Sequence, residues 1–209
     1  MQYTRPNVLI VVDVQNGFTP GGNLAVAEAD CIIPVINQLA QQFECVILTQ
    51  DWHPEQHISF AENHIDKQPF DCIELDYGTQ VLWPKHCVQG THDADFHPNL
   101  NIPTAQLIIR KGFHPEIDSY SAFLEADRKT PTGLNSYLKE HQIDTVYIVG
   151  IATDFCVAWT ALDAVNFGFK TYVIEDACKA IDLNGSLQQA WQKMLAQGVQ
   201  RIQSTTILV

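Results

Sequence analysis

The sequence predicts an α/β fold: a three-layer α/β/α sandwich on a mostly parallel central sheet of about six strands. Three observations lead there. Short, continuous, β-branched runs (VLIVV at 8–12, CVILT at 45–49, QLIIRK at 106–111 and VYIVG at 146–150) have the character of strands covered on both faces. Segments of helical periodicity alternate with them, which implies βαβ units with all strands pointing one way. The strands end in polar or ionisable residues, at the edge where open α/β sheets keep their ligand crevice.

The first strand, 8–12, ends at Asp13, and the breakers Gly17, Pro20, Gly21 and Gly22 follow. Asp13 is a candidate site residue. Capping of the following turn is the competing role for an aspartate there. A helix is expected from about Ala27 to Gln42, with Ile32, Ile33, Val35, Ile36 and Leu39 on its apolar face. The strand at 45–49 then leads into Asp51, Trp52 and His53, immediately before Pro54.

Residues 54–104 are rich in His, Pro, Asp and aromatics, with only brief apolar runs. They read as a loop-rich insertion over the active edge of a single domain spanning 1–209. The densest piece is WPKHCVQGT, 83–91; long irregular segments of this kind form lids and binding loops.

The strand at 106–111 ends on Lys111 and Gly112. A loop and short helix are expected over 119–132, then a helix over 133–141 after Pro131 and Thr132. The run 146–157, VYIVGIATDFCV, breaks at Gly150 and passes into a helix that continues to about Asn166 and stops at Gly168. A fifth strand is expected at 170–174 and a helix at 184–196, with Leu187, Trp191 and Leu195 inward and Gly198 ending it. A last strand is expected from Val199 through TTILV.

Cys156 lies in the first turns of the helix after 150. Unpaired N–H groups and the positive end of the helix dipole favour a thiolate there, although a free cysteine is equally at home in a core. Asp13, Lys111 and Cys156 follow three separate strands of one sheet, and their chemistry is complementary. The carboxylate can take the thiol proton, the ammonium can hold the carboxylate, and the sulfur can attack a carbonyl carbon. Backbone N–H groups of Ala152 and Cys156 are candidates for an oxyanion hole. Asp51 and His53, two residues apart at a strand end, with His86 from the covering loop, form a candidate metal site with open positions. Two histidines and one carboxylate suit zinc, iron or manganese. His57 is a weaker candidate, and His64, His92, His97, His114 and His141 read as surface or structural residues.

Formal net charge is −12, with 24 acidic against 12 basic residues, and no basic patch interleaved with aromatics occurs. That argues against a nucleic-acid partner and for a small, weakly charged substrate. No run approaches the roughly 18 apolar residues of a membrane span. The start MQYTRPNVLIVVDV lacks the layout of a signal peptide, so a cytoplasmic protein is expected. The six scattered cysteines, with no CxxC pair, fit reduced thiols in that compartment. The composition is compatible with a homo-oligomer.

DVQNGF (13–18), DWHPEQHISF (51–60), WPKHCVQGT (83–91), RKG (110–112) and GIATDFCV (150–157) occur in the order found in the isochorismatase-like cysteine hydrolase superfamily. The sequence resembles that superfamily, and within it the nicotinamide-hydrolysing branch. The resemblance implies the isochorismatase-like hydrolase fold and a catalytic set of Asp13, Lys111 and Cys156. It implies one divalent metal ion per chain on Asp51, His53 and His86, and an oxyanion hole at Ala152 and Cys156. It also implies a non-proline cis peptide at Ile151–Ala152 and a pyridine ring held by Phe18, Trp83 and Tyr120. The reaction implied is nicotinamide to nicotinate and ammonia through a thioester, a step of NAD salvage, with pyrazinamide as a side substrate. Another amide or carbamoyl hydrolase of the superfamily would keep Asp13, Lys111 and Cys156 but not need the metal site. Isochorismate hydrolysis would need more positive charge, and a non-enzymatic binding module would not need the three strand-end residues.

Overall fold

The computed structural model describes residues 6–208; Val209, which the expected last strand included, and residues 1–5 of the expected domain lie outside them. In chain order the regular elements are β1 (Asn7–Val12), α1 (Ile33–Ala40), β2 (Val46–Asp51), β3 (Cys72–Leu75), β4 (Gly78–Val81) and β5 (Leu107–Lys111). Then come α2 (Leu134–Glu140), β6 (Thr145–Ile151), α3 (Ala158–Asn166), β7 (Lys170–Lys179), α4 (Ser186–Ala196) and β8 (Gln200–Ile202).

Six strands form one sheet in the order β5-β2-β1-β6-β7-β8, and all its pairings are parallel. Chain order runs outward from β1 in one direction and outward from β6 in the other. The topological switch point therefore lies between β1 and β6, where such sheets open a crevice. β1 shows why the sheet is buried on both faces. Val8, Ile10 and Val12 enter the core under α2, α3 and α4, while Leu9 and Val11 enter the core under α1, as the two-residue period of a strand requires. The second face is completed by irregular chain, with Leu24, Trp83, Cys87 and Ile102 packed beside α1. Gly150 is the tightest point of β6. Its φ is +116°, and a Cβ there would lie 2.1 Å from Val12 O.

Several elements differ from expectation. The expected 27–42 helix is α-helical only from Ile33, with Pro34 in its first turn and a 3-10 turn over Ala29–Ile32 before it; Pro34 donates no N–H and so fits only the start of an α-helix. The insertion carries the hairpin β3–β4; Ile73 and Leu75 alternate with exposed neighbours in β3, but four residues are too few for the pattern to mark a strand in the sequence. No helix forms over 119–132. Asp127 Oδ1 accepts the N–H groups of Lys129 and Thr130 at 2.9 Å each, and the chain reverses there, the usual behaviour of an aspartate turn. β7 runs on to Lys179 through a register shift against β6. The last strand stops at Ile202 and gives way to a 3-10 turn at Ser204–Thr206. There Asp176 accepts both the N–H and the hydroxyl of Ser204, so a side chain supplies what a strand ladder would have. No helix among the described residues is long and apolar enough to cross a membrane.

Candidate active site

β1 ends at Val12, and Asp13 turns out of the strand at φ +50°, a conformation that aspartate tolerates better than most residues. Thr49 on the neighbouring β2 holds it in both directions. Its hydroxyl donates to Asp13 Oδ1 at 2.6 Å and lies 3.2 Å from the Asp13 N–H. The ends of β2 and β5 are in register, Asp51 opposite Lys111, and the two side chains form an ion pair. Lys111 Nζ also lies 2.7 Å from Asp13 Oδ2 and 3.4 Å from Cys156 Sγ. Asp13 Oδ2 is buried and receives the ammonium charge without an aligned hydrogen bond, which leaves it able to accept a proton. Asp13, Asp51 and Cys156 have ligating atoms within 4.8 Å of one another. Three strand ends thus converge on one lysine.

Cys156 stands in a π-helical turn, Thr153–Val157, that joins β6 to α3. The Ala152 carbonyl accepts the N–H groups of Phe155 and Val157, at 3.1 and 3.0 Å, and the Ile151–Ala152 peptide is cis. Asp154 ties this turn to the 181–186 segment. Its carboxylate accepts the N–H groups of Ile181 and Asp182 and the hydroxyl of Ser186.

The electrostatics follow from burial and from the shared lysine. Burial alone would lower Lys111, but Asp13 and Asp51 outweigh it and hold the ammonium well above its ordinary range. Burial raises Asp13 to about 6 against the opposing pull of Lys111. Burial would raise Asp51 too, yet Lys111, with the His53 and His86 rings beside it, keeps it well below the carboxylate range. The Cys156 thiol is pushed well up by burial, Lys111 opposing it and the two carboxylates adding to it. The expectation of a resting thiolate is corrected accordingly. Full burial beside two carboxylates outweighs one ammonium and a helix start, so the thiol keeps its proton until a base takes it.

The second cluster is Asp51, His53 and His86, with ligating atoms within 4.8 Å of one another. His53 Nδ1 lies 2.9 Å from Gly112 O, and His86 Nδ1 lies 2.7 Å from Pro84 O. A carbonyl only accepts, so each Nδ1 donates its N–H there, and Nε2 is the ring nitrogen turned toward Asp51 and left to ligate. Those Nε2 atoms stand 3.5 and 3.8 Å from Asp51 Oδ2. A carboxylate oxygen and two imidazole nitrogens with outer-shell acceptors already in place fit a divalent metal ion. Gly112 is required beside it: at φ +65°, a Cβ would fall 2.3 Å from the His53 ring. The loop delivers His86 through backbone bonds that lay 87–89 alongside His53. His57 engages both nitrogens elsewhere, with Ser59 Oγ at 2.7 Å and Ile117 O at 3.3 Å, and burial beside His53 lowers it to about 4. It is a neutral, structural ring.

Between the clusters lies a cavity lined by Phe18, Trp83, Tyr120, Ala152 and Cys156 together with Asp51, His53 and His86, aromatic walls with a few convergent polar groups, as small-molecule sites have. The Trp83 indole N–H donates to the Tyr120 hydroxyl at 3.0 Å. All the candidate residues thus border one space, directly or through Lys111. Sequence reasoning missed Phe155, whose ring meets Trp83 edge-on at 4.9 Å, and Leu24, Asp118, Ser119 and Ile181 in the same wall. It also missed Thr49 and Gln15; the Gln15 amide clamps Asp51 by accepting its N–H and donating to its carbonyl. Phe155 and Gln15 lie inside the quoted motifs, so that signal existed. Thr49 and Asp118 carried none.

Comparison with known proteins agrees with this arrangement. The isochorismatase domain family matches residues 7–206. A nicotinamidase of Acinetobacter baylyi is 75% identical over 209 residues, covering 100% of this chain and 98% of its own. The solved structure of an Acinetobacter baumanii nicotinamidase/pyrazinamidase is 77% identical, with a TM-score of 0.96, over 98% of this chain and 99% of its own. A pyrazinamidase of Pyrococcus horikoshii in complex with zinc is 36% identical, with a TM-score of 0.78, over 94% and 98% of the two chains. The chain belongs to the isochorismatase-domain family of hydrolases, and within that family it groups with the nicotinamidases.

Proposed function

We propose that this chain is a metal-dependent cysteine amidohydrolase that converts nicotinamide to nicotinate and ammonia, a step of NAD salvage, and that it also hydrolyses pyrazinamide. The observation that carries the reading is Lys111, whose Nζ touches Asp13, Asp51 and Cys156 and so joins the nucleophilic cluster to the ligand cluster across one cavity. The high identity to nicotinamidases supports the choice of substrate. Residues 1–209 act as one domain, with 54–104 as the insertion that covers the ring.

Asp51, His53 and His86 would hold one divalent ion, for which the Pyrococcus complex supports zinc, and the donor chemistry suits iron or manganese as well. When bound, the ion supplies a Lewis-acid anchor for the pyridine nitrogen. Phe18, Trp83 and Tyr120 restrict the ring to one pose and place the carboxamide at Cys156. Asp13 takes the Sγ proton as sulfur attacks the amide carbon. The carbonyl electrons move to oxygen, which the N–H groups of Ala152 and Cys156 receive. Asp13 then passes the proton to the leaving nitrogen, the C–N bond breaks, and ammonia departs from a Cys156 thioester. Asp13 next removes a proton from water, whose oxygen attacks the thioester. The C–S bond breaks and the thiolate regains the proton. Lys111 transfers no proton in this scheme; its ammonium keeps Asp13 ionised and oriented. The unpaired thiols support a reducing, cytoplasmic setting.

The test is ammonia release from nicotinamide by purified protein, with total metal measured on the same sample. Turnover with about one ion per chain is expected. No turnover in a metal-loaded sample with an alkylatable Cys156 would replace nicotinamide by another amide.

A further inference from the structure

Asp118 is a buried carboxylate, 2% exposed, in the wall of the cavity, and the scheme above gives it no part. Its hydrogen bonds come from two neutral donors: Gln80 Nε2 to Oδ2 at 2.7 Å and the Ser119 N–H to Oδ1 at 2.8 Å. Among the described residues no lysine or arginine pairs with it. One of its oxygens lies within 4.8 Å of ligating nitrogens on His53 and His57. His57 carries no charge to offset it: its Nδ1 accepts the Ser59 N–H at 3.3 Å and its Nε2 faces the Ile117 carbonyl. Burying a carboxylate without a balancing cation is costly. The substrate is uncharged and offers no balance.

The neighbouring cluster has the opposite deficit. Asp13 balances the Lys111 ammonium. Asp51 alone remains to offset a divalent ion, and one of its oxygens is shared with Lys111. Imidazole ligands supply no negative charge. A second negative charge is needed to bring the buried group to neutrality, and Asp118 is the carboxylate beside His53 that the lysine does not touch.

We propose that Asp118 is the counter-charge of the metal seat, a positioning residue that raises affinity for a divalent cation without being one of its ligands. Gln80, 1% exposed, holds it through the hairpin β3–β4 and also donates to the Tyr120 hydroxyl at 3.1 Å. The insertion thereby sets the charge of the seat as well as the wall against the ring. The proposal rests on the metal reading given above.

The experiment compares wild type with Asp118→Asn. Both are stripped with a chelator, checked by thermal melting and titrated with Zn²⁺ against a chromophoric competitor, then loaded with Co²⁺ for absorption. Expected are a 10- to 100-fold weaker affinity in the variant, an apo melting temperature at or above that of wild type, and an unchanged Co²⁺ band. Affinity within twofold of wild type overturns the proposal. So does a lower apo melting temperature in the variant, which would make Asp118 a structural residue. A shifted Co²⁺ band would make it a ligand and also overturns the counter-charge role. Wild type that binds neither ion removes the metal reading itself, an outcome visible without the variant.

Discussion

Proton traffic at the site depends on how four side chains share charge. Cys156→Ala should abolish turnover while nicotinamide still binds the loaded protein by calorimetry, since the ring anchors lie elsewhere in the cavity. Lost binding would make the cysteine structural. Asp13→Asn should cost on the order of 10²–10⁴ in kcat, and near-normal activity would remove it as the base. Asp13 must be ionised to accept a proton. With its pKa raised by burial to about 6, activity should therefore fall as pH drops through that value, visible as the acid limb of kcat/KM. The Thr49 hydroxyl lowers Asp13, so Thr49→Val should move that limb to higher pH. An unmoved limb would mean that it belongs to another group.

At the scale of elements, the turns do more than connect. The 119–132 reversal, expected as loop and helix, buries Glu125 at 1% exposure with one oxygen lacking a partner. Burial, with Asp127 and Asp118 adding to it, raises this carboxyl from 4.5 to about 7. A raised folded-state value means that the folded state binds the proton more tightly than the unfolded chain. The resulting stability is full below about pH 4.5 and is lost as pH rises through about 7. Glu125→Gln should raise stability by under about 1 kcal/mol at pH 5 and by about 3 kcal/mol at pH 8, read by urea unfolding at the two values. Equal effects at both would disconnect the reversal from this proton. The Asp154 tie between the nucleophile's turn and 181–186 is a second case, because Ile181 at its far end lines the cavity.

Across the whole molecule, the switch point between β1 and β6 sets where chemistry can occur. One side of the crevice carries Asp13 and the other Cys156, while β2 and β5 bring Asp51 and Lys111 beside them. A bound ion would then cross-link β2 to the insertion through His86. Chelation should lower the melting temperature of the loaded protein, with a stabilisation of about 2.7 kcal/mol at free metal one hundred times Kd. His53→Ala should melt at the same temperature with and without metal. An unchanged metal response in that variant would remove His53 from the ligand set.

By itself the sequence determined the α/β class, the strand ends that carry Asp13, Asp51 and Lys111, and the motif segments around His86 and Cys156. Those signals are local: an unbroken β-branched run reports a strand buried on both faces, and a polar residue at its end reports the crevice edge. Only the tertiary structure decided that Lys111 is shared by both clusters, because that depends on the register of β2 against β5. It also decided that the Cys156 thiol keeps its proton, because burial and two carboxylates far off in the chain but adjacent in space raise it. Thr49, Gln80 and Asp118 were invisible for the same reason. Each acts on a residue at least 36 positions away in the chain, and a hydrogen bond across that separation leaves no periodicity to read.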